Sequence, residues 1–407
     1  MSRQAKNAVC VFLFVTIVAL LLYTQRLIGL ATAAWVGDLK AFSQTDFVNN
    51  WFAVKLASQG KLPLIFDFQA YFAELKLEFG DDVDQRAWSY PPHFLLLLLP
   101  LGSFELVTAA IVYQLSGFLF FIFSVWALIR QFKPDDVQTP ALVLSLSLAP
   151  YCLLQLAAMQ NGFWFSGLML LGFAHAGTRP VAAGLCFAML TTKPQLGILI
   201  PFFLMFSGYW RTIVFTIIWT SLLLLATGLT FGFDVLLLYL TGTAPSQAGV
   251  LTNWNGVFLY MMPSLIASLR IMGLGSQTAV ALYVLWFAIL IGPVLWLIWK
   301  TSDPLQRVFA SVCGTFVLTP YSFSYDMGAL CAVAVLLALS EIGRPKASMA
   351  LALLAALPAL ILPLSLTHLP FVPLILLSAI VWFILRNAKN TGQLNPPSSA
   401  SLAGKLA

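Results

Sequence analysis

The most constraining feature of this sequence is its succession of long apolar stretches with very few charged residues between them. Of the 407 residues, 60% are hydrophobic and only 9% are charged, whereas an ordinary soluble domain carries about 25% charged residues. A soluble globular fold is therefore excluded. In so charge-poor a chain, the formal net charge of +6 reflects membrane topology and does not indicate nucleic-acid binding.

About twelve segments are predicted to be transmembrane helices, each of which needs roughly 20 apolar residues. The first follows Arg3 and Lys6 and stays apolar to Leu30, which indicates an uncleaved helix with a cytoplasmic N-terminus rather than a signal peptide. The others lie near 106–129, 138–157, 162–176, 180–192, 196–208, 211–231, 277–299, 305–319, 327–342, 347–363 and 371–386. We predict an all-α polytopic membrane protein with one integral domain over 1–386 and a polar, disordered tail over 387–407.

Basic residues set the orientation of the predicted helices, because Lys and Arg collect on the cytoplasmic side of a membrane. The alternation of sides closes only if the segments 91–103 and 255–268 do not fully span; if both did, the count would rise to fourteen. The residues assigned to the cytoplasmic side are Arg179, Arg211, Lys300, Arg307, Arg344, Lys346, Arg386 and Lys389.

One long loop holds a large share of the charge. Residues 38–86 contain 13 of the 36 charged residues, including 8 of the 15 acidic ones, and belong to a predicted extracytoplasmic loop over 31–90. Two apolar stripes at near-helical spacing lie within it, namely Phe47, Trp51, Val54 and Leu56, followed by Phe68, Phe72, Leu75 and Phe79. Both stripes predict amphipathic helices on the membrane surface.

Several polar groups converge on the extracytoplasmic face if this topology is right. A membrane protein has little reason to gather a carboxylate, a lysine and amides at one surface unless they bind something polar. A headgroup pocket at the lipid boundary is therefore predicted. The groups are Asp46, Ser89-Tyr90-Pro91-Pro92, Gln160-Asn161, Lys193-Pro194-Gln195, Asn253-Trp254-Asn255, Thr319-Pro320-Tyr321 and Tyr325-Asp326.

These motifs resemble those of glycosyltransferase family 87 over roughly residues 8–340. The first-loop signature is similar in Asp46-Phe47, Ala57-Ser58-Gln59-Gly60-Lys61-Leu62-Pro63, Phe66-Asp67 and Trp88-Ser89-Tyr90-Pro91-Pro92 running into Pro100-Leu101. Later motifs follow in the family order, as Gln160-Asn161, Gly184 with Lys193-Pro194-Gln195, and Thr319-Pro320-Tyr321 with Tyr325-Asp326. In one departure, Tyr325-Asp326 stands where some members carry histidines.

The resemblance implies a membrane enzyme of the GT-C superfamily. Such an enzyme moves a hexose, mannose by family default, from a polyprenyl-phosphate sugar to a glycolipid or polysaccharide acceptor, with inversion at the anomeric carbon. It implies an active site on the extracytoplasmic or periplasmic side of the plasma (inner) membrane. The lipid-linked donor is a substrate and no cofactor is expected. The predicted partners are these substrates and membrane lipid, without nucleic acid, and the oligomeric state is left open.

Nucleotide and metal chemistry have no motif in this sequence. Neither a Walker pattern nor a dinucleotide fingerprint occurs, which agrees with a donor that arrives in the lipid phase. The cysteines stand singly in apolar stretches, without the spacing of a disulfide framework or a metal site. The three scattered histidines argue against a zinc enzyme. We also expect the acidic run of Asp81, Asp82 and Asp84 to be a solvated turn and not a metal site.

Asp46 and Lys193 are predicted to carry the chemistry. Attack of a sugar hydroxyl on the anomeric carbon needs a base for the hydroxyl proton and a cation for the departing phosphate. Asp46 is assigned as the base, with Asp38 and Asp67 in reserve, and Lys193 as the phosphate partner. The alternatives are a helix N-cap for Asp46 and, for Lys193 beside Pro194, a lysine at a helix end that extends its amine to water.

Six further residues are predicted to bind the sugar or the acceptor, namely Tyr90, Gln160, Asn161, Asn255, Tyr325 and Asp326. Alternatives remain for each: interhelical hydrogen bonds for the amides, a membrane-interface anchor for Tyr90 and a buried structural pair for Tyr325 and Asp326. Two other functions also remain open for the whole chain. They are a lipid-linked sugar transporter or flippase and a non-catalytic subunit of envelope-polysaccharide assembly.

Overall fold

The computed structural model describes residues 3–132, 141–253, 255–341 and 344–392. The chain is 82% helical, and no strand occurs in these ranges, so the prediction of an all-helical protein is confirmed. The helices are α1 (Arg3–Val36), α2 (Leu39–Ser43), α3 (Phe47–Ser58), α4 (Leu62–Phe66), α5 (Phe68–Phe79), α6 (Pro92–Leu98), α7 (Leu106–Phe132), α8 (Ala141–Ala158), α9 (Gly162–His175), α10 (Pro180–Leu190), α11 (Ile200–Phe206), α12 (Trp210–Phe231), α13 (Asp234–Leu238), α14 (Ala244–Asn253), α15 (Leu265–Ile271), α16 (Ser276–Lys300), α17 (Pro304–Leu318), α18 (Gly328–Ser340), α19 (Pro345–Ser365) and α20 (Phe371–Gly392).

Six helices in the described ranges are long and apolar enough to cross a membrane. They are Phe12–Val36 within α1, the whole of α7, α12, α16 and α19, and Phe371–Ala388 within α20. The other predicted spanning segments form apolar helices of 10–17 residues, shorter than the roughly 20 residues that a spanning helix needs. The structure is therefore that of a polytopic membrane protein, and helix length supports six of the about twelve predicted spans.

Three helices form the centre of the bundle. Nearly every residue of α9, α17 and α18 is buried, which explains why the sequences of α9 and α18 are apolar all round rather than on one face. By contrast, α12 and α16 lie at the periphery and expose large apolar side chains such as Ile217 and Ile289. In a membrane protein such side chains face lipid, so burial separates the helices that build the interior from those that line its outer surface.

The connections between helices collect at two opposite ends. At one end, which we call the loop end, the long segment 37–105 meets 159–161, 191–199 and 319–327. At the other, the basic end, the Thr212 hydroxyl donates to the Ala176 carbonyl and the Arg307 guanidinium donates to Ser207. The central helices begin at one end and finish at the other. Because α9 has 14 residues at 1.5 Å each, the two ends are about 20 Å apart there.

The loop helices only partly match the prediction. The stripe of α5 turns inward, because Leu75 is buried and Phe79 packs against Phe52 and Trp51 of α3. However, α3 buries residues on all sides, and its Asn50 is as buried as its Phe52. The expectation that α3 is an amphipathic surface helix is therefore wrong. It is an interior helix that packs against α5 through Phe79 and against α6 and α7.

Two predicted boundaries also shift. The first helix continues to Val36 rather than ending near Leu30, so the long loop begins at residue 37 and not at 31. The last helix continues to Gly392, so the first six residues of the predicted polar tail are helical. Residues 393–407 and Trp254 lie outside the described residues.

Candidate functional site

Asp46 immediately precedes α3 at the loop end. Its backbone is already helical, with φ −68° and ψ −18°, and its side chain makes no cap hydrogen bond. Phe47 and Val48, the next two residues, are fully buried and fix the start of the helix. The carboxylate itself stays 41% exposed. The N-cap alternative therefore does not describe the Asp46 side chain, although the residue occupies the cap position.

Two side chains hold the Asp46 carboxylate, one on each oxygen. Arg86 Nη1 donates to Oδ1 at 2.5 Å, and Gln160 Nε2 donates to Oδ2 at 3.0 Å. Since each carboxylate oxygen can accept more than one hydrogen bond, this arrangement orients the group and leaves acceptor capacity free. The two reserve carboxylates behave differently, because Asp38 caps α2 and Asp67 caps α5.

Arg86 is a site residue that the sequence analysis missed. Its side chain is only 9% exposed, and its Nη2 also donates to the Gln44 carbonyl at 2.9 Å. Asp84 lies 3.7 Å from the same nitrogen. The guanidinium thus ties the segment before Tyr90 to the start of α3. A single arginine between an acidic run and the Trp88 motif is the only signal in the sequence that points to it.

The turn between α8 and α9 places Gln160 and Asn161. Met159 adopts φ 52°, a left-handed conformation that is uncommon for a residue with a side chain. Two glutamines stabilise the turn, because Gln114 Nε2 donates to the Gln160 carbonyl at 3.0 Å and Gln155 donates to the same oxygen. The turn directs the Gln160 side chain to Asp46.

Asn161 is completely buried at the centre of a polar network. Its Oδ1 accepts from Asn50 Nδ2 at 2.6 Å and from the Tyr113 hydroxyl at 3.1 Å. Its Nδ2 donates to the Tyr90 hydroxyl at 2.8 Å. One amide thus joins α3, α7, α9 and the Tyr90 segment. These contacts favour an interhelical hydrogen-bonding role for Asn161, which is fully buried. Gln160, by contrast, is only partly buried.

Tyr90 is buried among aromatic rings at the loop end. Its ring lies 4.6 Å from that of Phe94 and 5.3 Å from that of Trp88. Burial raises the pKa of Tyr90 well above its usual value, and the negative charges of Asp326 and Asp46 raise it further. The phenol is therefore neutral at physiological pH. This environment differs from that of a membrane-interface anchor.

Lys193 and Asp326 form a buried ion pair. Lys193 Nζ lies 2.6 Å from Asp326 Oδ1, and the two side chains are only 5% and 0% exposed. Asp326 Oδ2 accepts from the Phe323 backbone N–H at 3.0 Å. Lys193 follows the end of α10, where Pro194 keeps it out of the helical region. The lysine therefore does not extend its amine to water, as the alternative proposed.

The segment 319–327 docks tightly against the start of α9. The Tyr151 hydroxyl donates to the Tyr325 carbonyl at 3.0 Å. A Cβ atom at Gly162 would overlap that same carbonyl oxygen, so only glycine allows so close an approach. Burial raises the pKa of Tyr325 well above its usual value, and the negative charges of Asp326 and Asp46 raise it further. Both carboxylates therefore act on the same tyrosine.

The remaining predicted groups are separate from this centre. Asn255 is exposed, and its Oδ1 accepts from Arg270 Nη2 at 2.5 Å. Within the described parts of the chain, no contact joins it to the Asp46 cluster. The acidic run is divided among different cations, with Asp82 on Lys40, Asp81 on Lys76 and Asp84 on Arg86. No group of three potential metal-binding side chains forms in those parts.

Comparison with known proteins assigns the family. The family model described as glycosyltransferase family 87 matches residues 88–320, which is more than half of the 407 residues. The matched segment includes Tyr90, Gln160, Asn161, Lys193 and Asn255, while Asp46 precedes it and Tyr325 and Asp326 follow it. No curated protein and no solved structure matches the chain significantly. Over most of its length, therefore, this apolar helical chain belongs to glycosyltransferase family 87 and is a membrane glycosyltransferase.

Proposed function

We propose that the protein transfers a hexose from a polyprenyl-phosphate sugar to a glycolipid or polysaccharide acceptor, with Asp46 as the general base. One observation carries the proposal. The Asp46 carboxylate is 41% exposed yet is held by Arg86 and Gln160, so it is both oriented and accessible. The other carboxylate of the centre, Asp326, is fully buried on Lys193.

The reaction is a single displacement. The acceptor hydroxyl oxygen attacks the anomeric carbon, and its proton passes to the Asp46 carboxylate. The bond between the anomeric carbon and the phosphate oxygen breaks, and the phosphate leaves with the electron pair. Because attack and departure occur on opposite faces, the configuration inverts, and a β-linked donor gives an α-glycoside. A base adjacent to the hydroxyl and a cation for the phosphate are the groups that this step needs.

Lys193 is the proposed cation for the donor phosphate. An ammonium has three N–H donors. That of Lys193 donates to Asp326 and also lies over the rings of Phe165 and Tyr325, 5.4 and 5.3 Å from their centroids. A phosphate would therefore share the ammonium with Asp326. The competing role is structural, because the same pair anchors the segment 319–327. Sugar or acceptor contacts are proposed for Gln160, Tyr90 and Tyr325, while Asn161, Asn255 and Asp326 are weaker candidates given their existing partners.

The distribution of charge supports the proposed side of the membrane. Arg307 and Arg386 lie at the basic end, opposite Asp46, and basic residues favour the cytoplasm. The loop end is then extracytoplasmic, in the plasma (inner) membrane. The peripheral helices expose apolar side chains, which suits a donor that enters from lipid. Mannose is the family default for the hexose.

Two other functions compete with this proposal. A lipid-linked sugar transporter or flippase would place its polar groups along a path through the membrane, whereas the described polar network gathers at the loop end. A non-catalytic subunit of an envelope-polysaccharide assembly would keep the fold and would not need an accessible Asp46.

One assay separates the three functions. Purified protein in liposomes is given a polyprenyl-phosphate hexose with radiolabelled sugar and a lipid extract as acceptor. Labelled product supports the transferase. Movement of the donor between leaflets without product supports the transporter, and neither result supports the subunit. An Asp46→Asn variant in parallel distinguishes transfer by this site from transfer by a contaminant.

A further inference from the structure

A cavity of about 210 Å³ lies at the basic end, opposite the candidate active site. The last residues of α7 and α9 form one wall, α11 and the residues after it form another, and the start of α17 closes it. Its apolar lining consists mainly of aromatic rings, whereas its polar side chains are those of Gln131, Thr178, Ser207, Tyr209 and Arg307. Among the described lining residues, Arg307 is the only one with a charge.

The Arg307 guanidinium is fixed in place but not saturated. Its Nε donates to the Thr301 carbonyl at 2.8 Å, and its Nη1 donates to the Ser207 hydroxyl at 3.0 Å. These contacts use two of the five N–H donors of an arginine. The remaining donors are not matched by a carboxylate among the described lining residues. A fixed guanidinium with free donors beside polar hydroxyls is suited to an oxyanion.

The charged residues next to the lining are turned to other partners. Arg130 adjoins the lining residue Gln131 in the sequence, but its guanidinium lies over the Trp126 ring, 5.2 Å from the centroid. The nearest carboxylate in the sequence is Asp303, and its Oδ1 already accepts from the Gln306 backbone N–H at 2.7 Å as the cap of α17. The charge of the described lining, that of Arg307, therefore favours an anion over a cation or a neutral sugar.

The size of the cavity limits what can enter it. A single water needs about 15 Å³ of cavity volume, and pockets for whole small molecules begin at about 300 Å³. A volume of 210 Å³ is too small for a nucleotide sugar. It is large enough for one tetrahedral anion together with part of the molecule to which that anion is attached. The aromatic lining suits a carrier that is partly apolar.

We propose that this cavity binds a phosphate group, with Arg307 as its cation and with Ser207 and Thr178 as hydrogen-bond donors. The phosphate belongs either to the headgroup of an anionic membrane lipid or to free inorganic phosphate, and both present the same oxygens to the guanidinium. The site is independent of the transfer reaction, because it lies at the end of the bundle opposite Asp46.

The test measures binding without any sugar substrate. Full-length protein in a neutral detergent is titrated with phosphatidylglycerol, with phosphatidylcholine and with inorganic phosphate, and bound adducts are counted by native mass spectrometry. We expect phosphatidylglycerol to be retained more strongly than phosphatidylcholine. If inorganic phosphate displaces it, the cavity also accepts the free anion, and if it does not, the headgroup is the ligand. Equal retention of the two lipids, with no phosphate adduct, would overturn the proposal.

Matched variants locate the binding. Arg307→Gln should weaken phosphatidylglycerol binding by about tenfold or more, because a charged hydrogen bond is lost. Arg130→Gln removes the same charge at the same end without altering the lining and should leave binding unchanged. Thr178→Trp keeps Arg307 and fills the space, so it decides the outcome if Arg307→Gln does not fold. Unchanged binding in Thr178→Trp, or equal losses in Arg307→Gln and Arg130→Gln, would show that the cavity is not the site.

Discussion

Two of the carboxylate–cation pairs at the loop end have nearly the same separation but differ in the exposure of the carboxylate. Asp46 and Arg86 are 2.5 Å apart with the carboxylate 41% exposed and the guanidinium 9% exposed. Lys193 and Asp326 are 2.6 Å apart and both buried. In the first pair, the cation is anchored and the carboxylate is open. In the second, neither charge reaches solvent.

This difference in exposure predicts which pair affects turnover and which affects folding. A buried ion pair rarely adds net stability, but removing one partner leaves an uncompensated buried charge. A half-exposed pair contributes little to stability, because solvent screens it, yet its carboxylate can meet a substrate hydroxyl. We therefore expect changes to the Asp46 pair to alter turnover and changes to the Lys193 pair to alter folding first.

Asp46→Asn should have the largest effect on transfer. The amide keeps the size of the side chain but cannot take the hydroxyl proton, so turnover should fall by about 10²–10⁴-fold. The thermal unfolding midpoint should stay close to that of the original protein. Radiolabelled transfer and a thermal melt of the same preparation measure both quantities.

Asp38→Asn and Asp67→Asn serve as controls for that substitution. Both remove a carboxylate charge from the same loop, at residues that cap α2 and α5. They should retain most of the turnover. Near-normal transfer by Asp46→Asn would remove Asp46 from the role of base.

Asp326→Asn should have the largest effect on folding. It leaves the buried Lys193 ammonium without a counter-charge, which costs about 3–5 kcal/mol. Asn can still accept from the Phe323 N–H, so the turn itself is kept. Denaturant unfolding in detergent, monitored by the loss of helical signal, measures the change in the free energy of unfolding.

The double variant Lys193→Met with Asp326→Asn tests what Lys193 does. With both charges removed, stability should recover, because an ion pair replaced by neutral side chains is often tolerated. If Lys193 binds the donor phosphate, the double variant should still fail to bind donor and to transfer sugar even though its stability has recovered. Recovery of both stability and transfer would show that the pair is structural only.

Arg86→Gln should reduce turnover less than Asp46→Asn does. The variant leaves the Asp46 carboxylate held by Gln160 alone, and a misplaced catalytic group can cost about 10²-fold in rate. If Arg86 positions Asp46 as the base, kcat should fall while KM for the donor changes little. Arg86→Lys should recover part of kcat, because it keeps the charge but cannot bridge Asp46 and the Gln44 carbonyl as a planar fork does. A fall in stability alone, with kcat unchanged, would contradict this role.

Much of the architecture could be predicted from the sequence, because apolar length and charge depletion are local properties. The pairing of charges could not. Lys193 and Asp326 are 133 residues apart, and each appears in the sequence only as a polar residue within an apolar frame. Nothing in that pattern indicates that they neutralise each other.

The interior position of α3 was hidden for a related reason. Periodicity showed one apolar stripe, but it could not show that the polar face is also covered. Asn50 is satisfied by Asn161, 111 residues further along the chain. Arg86 was overlooked because its partner Asp46 lies 40 residues earlier, across a loop whose many charges made no single pairing evident.

The smallest effect should come from an exposed pair in the same loop. Lys40 and Asp82 lie 2.8 Å apart, slightly further than the 2.5 Å and 2.6 Å of the other two pairs, and their side chains are 70% and 76% exposed. The hydrogen bond from Lys40 lowers the pKa of Asp82, so any stabilisation is present above the unfolded carboxyl pKa and is lost as pH falls through the lower folded value. At physiological salt the Debye length is about 8 Å, and solvent screens such a pair. Lys40→Gln should therefore leave both the unfolding midpoint and turnover unchanged at neutral pH. A clear loss of either, measured against Arg86→Gln in the same buffer, would show that burial does not decide which ion pairs of this loop matter.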